Sequence, residues 1–446
     1  MSIVDANDIW LDKMPNDWQR SRIRNVAALS PSYSAMAPSS DTLCTVIPME
    51  LLSADGKLDV SNQQPLEEIS SGLPLFEKSD VLFAKITPCM ENGKGAFVRE
   101  LPTRYAFGST EFHVLRPSKK INGSFLYYAT FNPIYRAYAA ENMVGAAGQK
   151  RVASRFIKDT RLFLPPLSEQ QRIATYLDAS CAAIDAAMAA KRRQLETLDA
   201  LRKSIIQRAV TRGLSKHVAL VSAGNVWIDQ IPRGWKLVCL KRIADIQGGL
   251  TLGKQYDGPL IERPYLRVGN VQDGHLDLAD VSLIELPANV AKGVELRLND
   301  VLMTEGGDLD KLGRGHLWKG EILGCLHQNH IFAVRCFLHK LKPMFLAYVT
   351  AAKYGRDYFE ATGKKTTNLA CTNATKVGEF PIPLPPLPEQ EAICAYLDKK
   401  LGEVKQTVDN IEAQIATLTA YRKSLIHECV TGQRRVTEAD IKRRML

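Results

Sequence analysis

The feature that most constrains this chain is an internal repeat with an offset of 220 residues. The segment PPLSEQ that begins at Pro165 returns as PPLPEQ at Pro385, and the triplet RKS that begins at Arg202 returns at Arg422. Between residues 165–214 and 385–434, 19 of 50 ungapped positions are identical. Because unrelated segments do not share so many residues, the sequence predicts two related structural units rather than one.

The same repeat continues upstream more faintly, so each half combines a variable stretch with a strongly repeated segment. The matched upstream residues are Asp80 with Asp300, Arg136 with Arg356, Tyr138 with Tyr358 and, at an offset of 217, the Trp-containing motifs that include Trp18 and Trp235. The variable stretches contain short β-rich runs and apolar helical runs: strands are predicted at residues 80–86, 112–115, 265–268 and 331–334, and helices at 125–138 and 345–359. We therefore expect an α+β fold with globular domains at residues 1–164 and 215–384.

The strongly repeated segments, residues 165–214 and 385–432, predict two long helices. Ser168 followed by Gln171 indicates a capping box, and Pro388 suits a first helical turn. Apolar residues recur at alternating four- and three-residue spacing in one register, which is the heptad pattern: Ile184, Met188, Leu195, Leu198 and Ile205, then Val404, Val408, Ile411, Ile415, Leu418 and Leu425. Either the helices pair with each other, as an antiparallel coiled coil that relates the halves by a pseudo-twofold axis, or each packs on its own domain. The matched heptads favour pairing, whereas the direction of the pair stays open.

Composition favours a soluble intracellular protein. Of the 446 residues, 45% are hydrophobic and 24% are charged, which is typical of globular chains. We see no run near the roughly 18 apolar residues of a membrane span and no signal peptide. The nine cysteines contain no C-x-x-C pair, so a reducing cytosol is expected.

The net charge of +10 permits nucleic-acid binding. The positive charge is spread over both globular domains and both predicted helices, and residues 433–446 form a short C-terminal basic tail. We therefore expect any DNA to meet folded surfaces along the whole chain.

Catalytic and metal-binding motifs are weak. The segment GGLTLGK that begins at Gly248 resembles a phosphate-binding loop, but Gln255 stands where Ser or Thr would hold Mg²⁺, so a turn is favoured. Cys325, His327, His330 and Cys336 lack the usual zinc spacing and have no equivalent in the first half. Asp308 and Asp310 likewise have no acidic pair in the first half. We expect no catalytic residue and no bound metal in this chain.

Basic and amide side chains recur in matching loops of both halves. Lys and Arg can hold phosphates, and Arg, Asn and Gln can bond base edges in pairs, although a solvated loop with incidental charge is the alternative. The candidate DNA-binding residues are Lys85, Lys94, Arg104, Gln149, Lys150 and Arg151 in the first half, and Lys311, Arg314, Lys364, Lys365 and Asn368 in the second.

Taken together, the twice-occurring Pro-Pro-Leu-x-Glu-Gln-x-x-Ile motif and the two Arg-Lys-Ser triplets resemble the specificity subunit of a type I restriction-modification system. The resemblance covers essentially the whole chain and implies two target-recognition domains separated by an antiparallel coiled-coil spacer. It implies a non-catalytic subunit that binds an asymmetric, bipartite site in double-stranded DNA, with half-sites about one helical turn (~34–36 Å) apart.

The resemblance also implies partners. Two modification subunits would bring S-adenosylmethionine and methylate adenine N6, and restriction subunits would use ATP and Mg²⁺, so this chain itself needs no cofactor. A prokaryotic cytoplasm is the implied location, with no membrane partner. The alternative is a stand-alone DNA-binding scaffold outside restriction-modification.

Overall fold

The structure, a computed structural model, describes residues 15–31, 39–146, 148–215, 217–307, 312–365 and 370–445. The chain divides into two compact units. Unit 1 comprises Met1–Lys191 with Ala413–Leu446, and unit 2 comprises Arg192–Glu412. Each unit therefore holds one globular domain together with part of each long helix.

Unit 1 is built from short strands and helices, followed by the first long helix. Its strands are β1 (Gln19–Arg22), β2 (Ala27–Leu29), β3 (Leu43–Ile47), β4 (Gln63–Pro65), β5 (Leu75–Phe76), β6 (Val81–Ala84), β7 (Gly95–Phe97), β8 (Ala106–Gly108), β9 (Phe112–Pro117) and β10 (Arg161–Leu164). Its helices are α1 (Ile23–Val26), α2 (Gly123–Phe131), α3 (Pro133–Glu141) and α4 (Ser154–Asp159), and α5 (Leu167–Arg212) begins in this unit.

Unit 2 has the same kind of elements. Its strands are β11 (Leu220–Ser222), β12 (Gln230–Pro232), β13 (Lys236–Cys239), β14 (Ala244–Gly248), β15 (Ile261–Leu266), β16 (Ser282–Leu286), β17 (Val301–Thr304), β18 (Gly306–Gly307), β19 (Gly315–Leu317), β20 (Leu326–His327), β21 (Ile331–Cys336), β22 (Lys364–Lys365), β23 (Ala370–Cys371) and β24 (Pro381–Leu384). Its helices are α6 (Ala288–Val294), α7 (Pro343–Ala351), α8 (Lys353–Thr362) and α9 (Ala374–Glu379). The second long helix is α10 (Leu387–Thr431), and α11 (Glu438–Met445) follows it in unit 1.

The two units repeat one sheet topology, so the α+β expectation is confirmed. The antiparallel order β2-β9-β6-β7 in unit 1 matches β14-β21-β17-β19 in unit 2. A second sheet contains one parallel pair in each unit, β3 with β8 and β15 with β20. A third pair, β1 with β10 or β13 with β24, joins the start of each domain to the strand before the long helix. The sequence repeat therefore corresponds to a repeat of the fold.

The two helices predicted at residues 125–138 and 345–359 are each divided into two shorter helices in the structure. The first breaks at Asn132, whose side chain accepts a hydrogen bond from the amide of Ile134, with Pro133 at the first turn of α3. The prediction of one helix over residues 125–138 was therefore wrong, because an N-cap and a proline begin a new helix there. The second breaks at Ala352, between α7 and α8.

Helix α5 begins two residues earlier than a capping box at Ser168 requires. Helix α5 begins at Leu167, and the carbonyl of Pro166 accepts bonds from the amides of Glu169 and Gln170. Ser168 therefore lies inside the first turn, and the predicted capping box was wrong. The side chain of Gln171 bonds Asn122 and Thr175 instead of reaching back.

The repeated Glu-Gln pair fastens each long helix to its domain. The buried Gln170 side chain accepts from the amide of Asn122 at 2.8 Å and donates to the carbonyl of Pro165 at 2.8 Å, and Gln390 repeats both bonds with Lys342 and Pro385. The preceding glutamate accepts from a tryptophan indole in each unit, Trp18 to Glu169 and Trp235 to Glu389. Because an unsatisfied buried polar group is costly, these bonds fix where each helix leaves its domain.

Within unit 1 the two long helices run antiparallel. The guanidinium of Arg422 lies 3.1 Å from the carboxylate of Asp185, and the Thr419 hydroxyl lies 3.5 Å from the sulfur of Met188. Since the contacts descend along α10 as they ascend along α5, the direction left open by the sequence is antiparallel here. Ile184, Met188 and Leu425 are buried in this unit, and Ile415 and Leu418 are half-buried.

Within unit 2 the end of α5 and the start of α10 contribute to one core, which contains Ile206, Ile393 and Leu397, so this pair is antiparallel too. Several heptad residues here line a cleft of 960 Å³ beside α7 and β19 instead of closing a tight seam: Leu195, Leu198, Val404 and Val408. Ile411 is buried and Ile205 is half-buried. The apolar spacing thus serves both the helix pair and the globular domain.

The C-terminal segment belongs to unit 1. The Arg435 guanidinium bonds the carboxylates of Asp17 and Glu169, and Val436 is buried in the core. Gly432 ends α10 with a φ of 77°, and an added Cβ would lie 2.4 Å from Pro15, whereas Gly213 ends α5 with a φ of 70° against Trp235. The basic tail is therefore largely a packed segment that ends in α11.

Among the described residues, α5 is the helix that is long and apolar enough, by length and composition, to cross a membrane. No such stretch was expected from the sequence. Ile173, Leu177 and Cys181 of this helix are buried in the core of unit 1. The apolar stretch is thus the core-facing side of a helix.

Replacing Gln170 by alanine should destabilise unit 1 by about 2–4 kcal/mol, because it orphans the buried backbone groups that the side chain bonds. Urea unfolding followed by tryptophan fluorescence measures this. Gln171→Ala, at the exposed neighbouring position, is the control and should cost less than about 1 kcal/mol. Equal midpoints for both variants would contradict the fastening role of Gln170.

Candidate nucleic-acid interface

A small three-stranded sheet gathers the predicted DNA-binding loops of unit 2. Strand β23 pairs with both β18 and β22, so that Cys371 lies between Gly306 and Lys364. Strand β18 precedes Arg314 in sequence, and Lys364 of β22 belongs to the GKKTTN motif. Strands next to two separate candidate segments are therefore brought together, as phosphate and base contacts in one place require.

Unit 1 repeats this arrangement at the same offset of 220 residues. Arg151 bridges to both Ile86 and Val144. The amides of Arg151 and Val144 donate to each other's carbonyls at 2.8 and 3.0 Å, and the amide of Thr87 donates to the carbonyl of Lys150 at 3.0 Å. We call residues 87–94 and 307–314 the first loops and residues 145–150 and 365–370 the second loops.

An arginine that bonds backbone carbonyls supports the first loop in each unit. Arg136 is 8% exposed and donates to the carbonyls of Met90 and Lys94, both at 3.3 Å, while Arg356 donates to the carbonyl of Leu312 at 3.3 Å. Burial lowers the pKa of Arg136 to about 10. Arg136 and Arg356 match in the sequence repeat, and that match is the signal that could have predicted their shared role.

The candidates around the first loop of unit 1 differ in accessibility. The Lys94 ammonium donates to the carbonyl of Met49 at 2.9 Å, so one of its donors is used inside the domain. Lys85 is half-buried and its backbone bonds Glu111 and Val152. Arg104 is exposed over the ring of Tyr105, next to β8, and lies in a different sheet from the two loops.

The second loop of unit 1 presents its polar residues to solvent. Gln149 and Lys150 are exposed, whereas Arg151 forms a two-oxygen ion pair with Glu111 at 2.8–3.1 Å. The hydrogen bonds from Arg151 lower the pKa of Glu111 despite partial burial. Glu111 was missed by the sequence analysis, because nothing in the sequence pattern links residues 40 positions apart.

In unit 2 the described candidates are Arg314 and Lys364. Arg314 is half-buried, and its amide lies 3.2 Å from the hydroxyl of Thr304. Burial raises the pKa of Asp273, but Arg202, helped by Arg356 and Arg314, lowers it overall. Lys364 is exposed. Lys311, Asn368 and the side chain of Lys365 lie outside the described residues.

The two units hold different side chains on the same backbone frame. The amide of Lys85 donates to the carbonyl of Glu111 at 2.9 Å, and at the matching place the amide of Glu305 donates to His330 at 2.8 Å. Lys85 thus corresponds to Glu305, which pairs with the His330 ring at 3.0 Å. Arg151 corresponds to Cys371. A shared backbone arrangement with different exposed side chains suits two domains that recognise different DNA sequences.

The alternative chemistries find little geometric support. Gly249 packs against the carbonyls of His327 and Gln328, and no helix begins within 249–260, so the phosphate-loop-like segment is a turn. Among the described residues, no group of three or more His, Cys, Asp or Glu side chains could hold a metal ion. The Nδ1 of His327 is instead 3.0 Å from the carbonyl of Val294. Asp308 and Asp310 lie outside the described residues.

Parts of this chain are similar in sequence to known proteins. The specificity subunit of the Escherichia coli restriction enzyme EcoBI is 27% identical over 327 residues, which cover 70% of this chain and 66% of that protein. The specificity subunit of EcoAI, also from Escherichia coli, is 33% identical over 165 residues, or 36% of this chain. The matched part spans only 27% of the length of the EcoAI subunit.

Two solved structures share the fold. A chain from a study of complex assembly and conformational transition of the type I R-M system aligns with a TM-score of 0.74 and 20% identity over 95% of this chain and 100% of that one. The HsdS subunit from Thermoanaerobacter tengcongensis aligns with a TM-score of 0.51 and 17% identity over 95% and 99%. A family model for the type I restriction modification DNA specificity domain matches residues 15–197 and 232–417. Since these matches exceed half of the chain, the protein belongs to the type I restriction-modification DNA specificity family and carries its domain twice.

Proposed function

We propose that this chain is the non-catalytic DNA-recognition subunit of a type I restriction-modification complex. Each unit reads one half of an asymmetric, bipartite site in double-stranded DNA. The observation that carries the proposal is the matching backbone pairing in the two units, a small sheet in unit 2 and isolated β-bridges in unit 1. This pairing holds different side chains at equivalent positions, such as Arg151 and Cys371. Because the readers differ, the two halves of the site differ.

DNA suits these loops better than an acidic protein does. The second loop of unit 1 carries the exposed Lys150, and the exposed Lys364 directly precedes the second loop of unit 2. In each unit the neighbouring backbone is fixed by β pairing. Lysines on a fixed frame set the position of a duplex through its phosphates, and adjacent amide or guanidinium groups reach base edges.

The direct test is selection from a random duplex library by the complex purified with its co-expressed partner subunits. The proposal predicts one enriched motif made of two unlike half-sites around an unspecified spacer. Enrichment of a single continuous motif, or of none, would contradict it.

Lys150→Ala and Lys364→Ala should each weaken DNA binding without changing the selected motif. Because each change removes one phosphate contact, the slope of log affinity against log salt should fall in magnitude by about 0.9. Fluorescence anisotropy over a salt series measures the slope. Lys400→Ala, on α10 where Lys400 pairs with Glu403, is the matched control and should leave the slope as it is. Unchanged slopes in both loop variants would remove these lysines from the interface.

The long helices offer two equivalent surfaces for partners. On α5, Gln194, Thr197 and Ser204 follow a three- and four-residue spacing and so share one exposed helix face with Leu201, which is 47% exposed. On α10 the face holds Gln414, Thr417, Ser424 and Tyr421, the last 41% exposed. We call these the repeat faces.

Internal packing does not require identical residues at exposed positions. The repeat faces instead fit two copies of one partner, and the partner we infer is the adenine-methylating modification subunit. S-adenosylmethionine would be bound by that partner, and ATP and Mg²⁺ by restriction subunits, in the cytoplasm of a prokaryote. No observation favours a stand-alone scaffold.

Leu201→Glu and Tyr421→Glu should each remove one modification subunit, because a buried charge at the centre of a helix face opposes docking. Native mass spectrometry of the co-expressed complex should show one modification subunit in each single variant and none in the double variant. The control is Glu196→Ala, because the equivalent position on α10, residue 416, is already alanine. This variant should keep two modification subunits. Two subunits on every variant would place the docking surface elsewhere.

A further inference from the structure

The backbone of Arg151 is held from both sides. It forms isolated β-bridges with Ile86 on one side and Val144 on the other. On either side of it along the chain, the Val152 amide donates to the carbonyl of Lys85 at 2.8 Å and the Lys150 carbonyl accepts from the amide of Thr87 at 3.0 Å. The Cα of Arg151 therefore has little freedom, although the residue stands at the end of an exposed loop.

The side chain of Arg151 is held as well. Its Nε lies 3.1 and 3.0 Å from the two oxygens of Glu111, and its Nη2 lies 2.8 Å from one of them. Its Nη1 donates to the carbonyl of Gln149 at 3.3 Å. The side chain nevertheless stays 42% exposed. Glu111 thus fixes the plane of the guanidinium while leaving an edge open to solvent.

The open edge has the donor pattern that guanine accepts. A guanidinium has five N–H groups. The bonds to Glu111 and Gln149 use one on each of the three nitrogens, which leaves one on Nη1 and one on Nη2 with no acceptor among the described residues. Two parallel donors match the O6 and N7 acceptors of guanine in the major groove.

The ion pair favours base reading over phosphate holding. A phosphate is held by charge and tolerates many orientations, as with the exposed Lys150. The carboxylate of Glu111 offsets the charge of Arg151 and fixes its orientation, which weakens a phosphate contact and strengthens an oriented one. In unit 2 the matching residue is Cys371, whose thiol donates to the carbonyl of Lys364. A thiol does not offer the pair of N–H donors that a guanidinium offers.

We propose that Arg151 reads one guanine in the half-site bound by unit 1, and that Glu111 is the positioning residue that orients it. The proposal rests on the proposed function, since it names a base contact of that same DNA interface. It also places the guanine contact in one half-site only.

The test is library selection with the complex carrying Arg151→Ala, Arg151→Lys or Glu111→Gln, beside the unchanged complex. Arg151→Lys keeps the positive charge but loses the two paired N–H donors of the guanidinium. It therefore still gives a result if Arg151→Ala abolishes DNA binding. At one G·C position of one half-site, all three variants should lose discrimination, about tenfold or more for the Arg151 variants. Every other position and the whole second half-site should stay the same.

The control is Arg24→Ala, which removes another exposed arginine of unit 1 paired at 2.8 Å with a single carboxylate, that of Asp159. Its motif should be that of the unchanged complex. If the unchanged complex selects a bipartite motif and the Arg151 variants select the same one, Arg151 is not a reader, whereas the proposed function stands. If Glu111→Gln alone leaves the motif intact, the positioning role is wrong. If the unchanged complex selects no bipartite motif, both proposals fail.

Discussion

The buried side chain of Gln170 in unit 1, and of Gln390 in unit 2, joins the first turn of a long helix to the loop that precedes a domain helix. The rest of each unit depends on this bond, because it determines where the helix leaves the domain. The adjacent glutamates accept from the indoles of Trp18 and Trp235 and extend the same fastening to the start of each domain. A change in the loops can therefore alter what is read without moving the helix.

That separation explains how two domains share a frame and differ in chemistry. The small sheet of unit 2 and the β-bridges of unit 1 occupy matching positions, yet the residue at their centre is Arg151 in one unit and Cys371 in the other. Arg136 and Arg356 hold the first loops through backbone carbonyls, and such bonds do not depend on which side chains the loops carry. On the proposed function, recognition rests on residues that carry little of the stability.

The sequence predicted the features that repetition encodes: two α+β units, two long helices and paired loops. It did not predict features that depend on contacts between distant residues. The Lys94 ammonium is partly used because the carbonyl of Met49 lies 2.9 Å away, and Arg151 is oriented by Glu111. The apolar spacing that indicated a coiled-coil seam gives no sign that Leu195 lines a cleft, since a helix face packs on whatever lies beside it.

If this chain directs a modification enzyme to a bipartite DNA site, the methylation of the host genome depends on its gene. Long-read methylation sequencing of the host, with the gene intact and with it deleted, measures that dependence. One asymmetric, gapped N6-methyladenine motif should disappear on deletion and return when the gene is restored. Survival of every methylated motif after deletion, in a host whose modification subunit is expressed, would contradict that dependence.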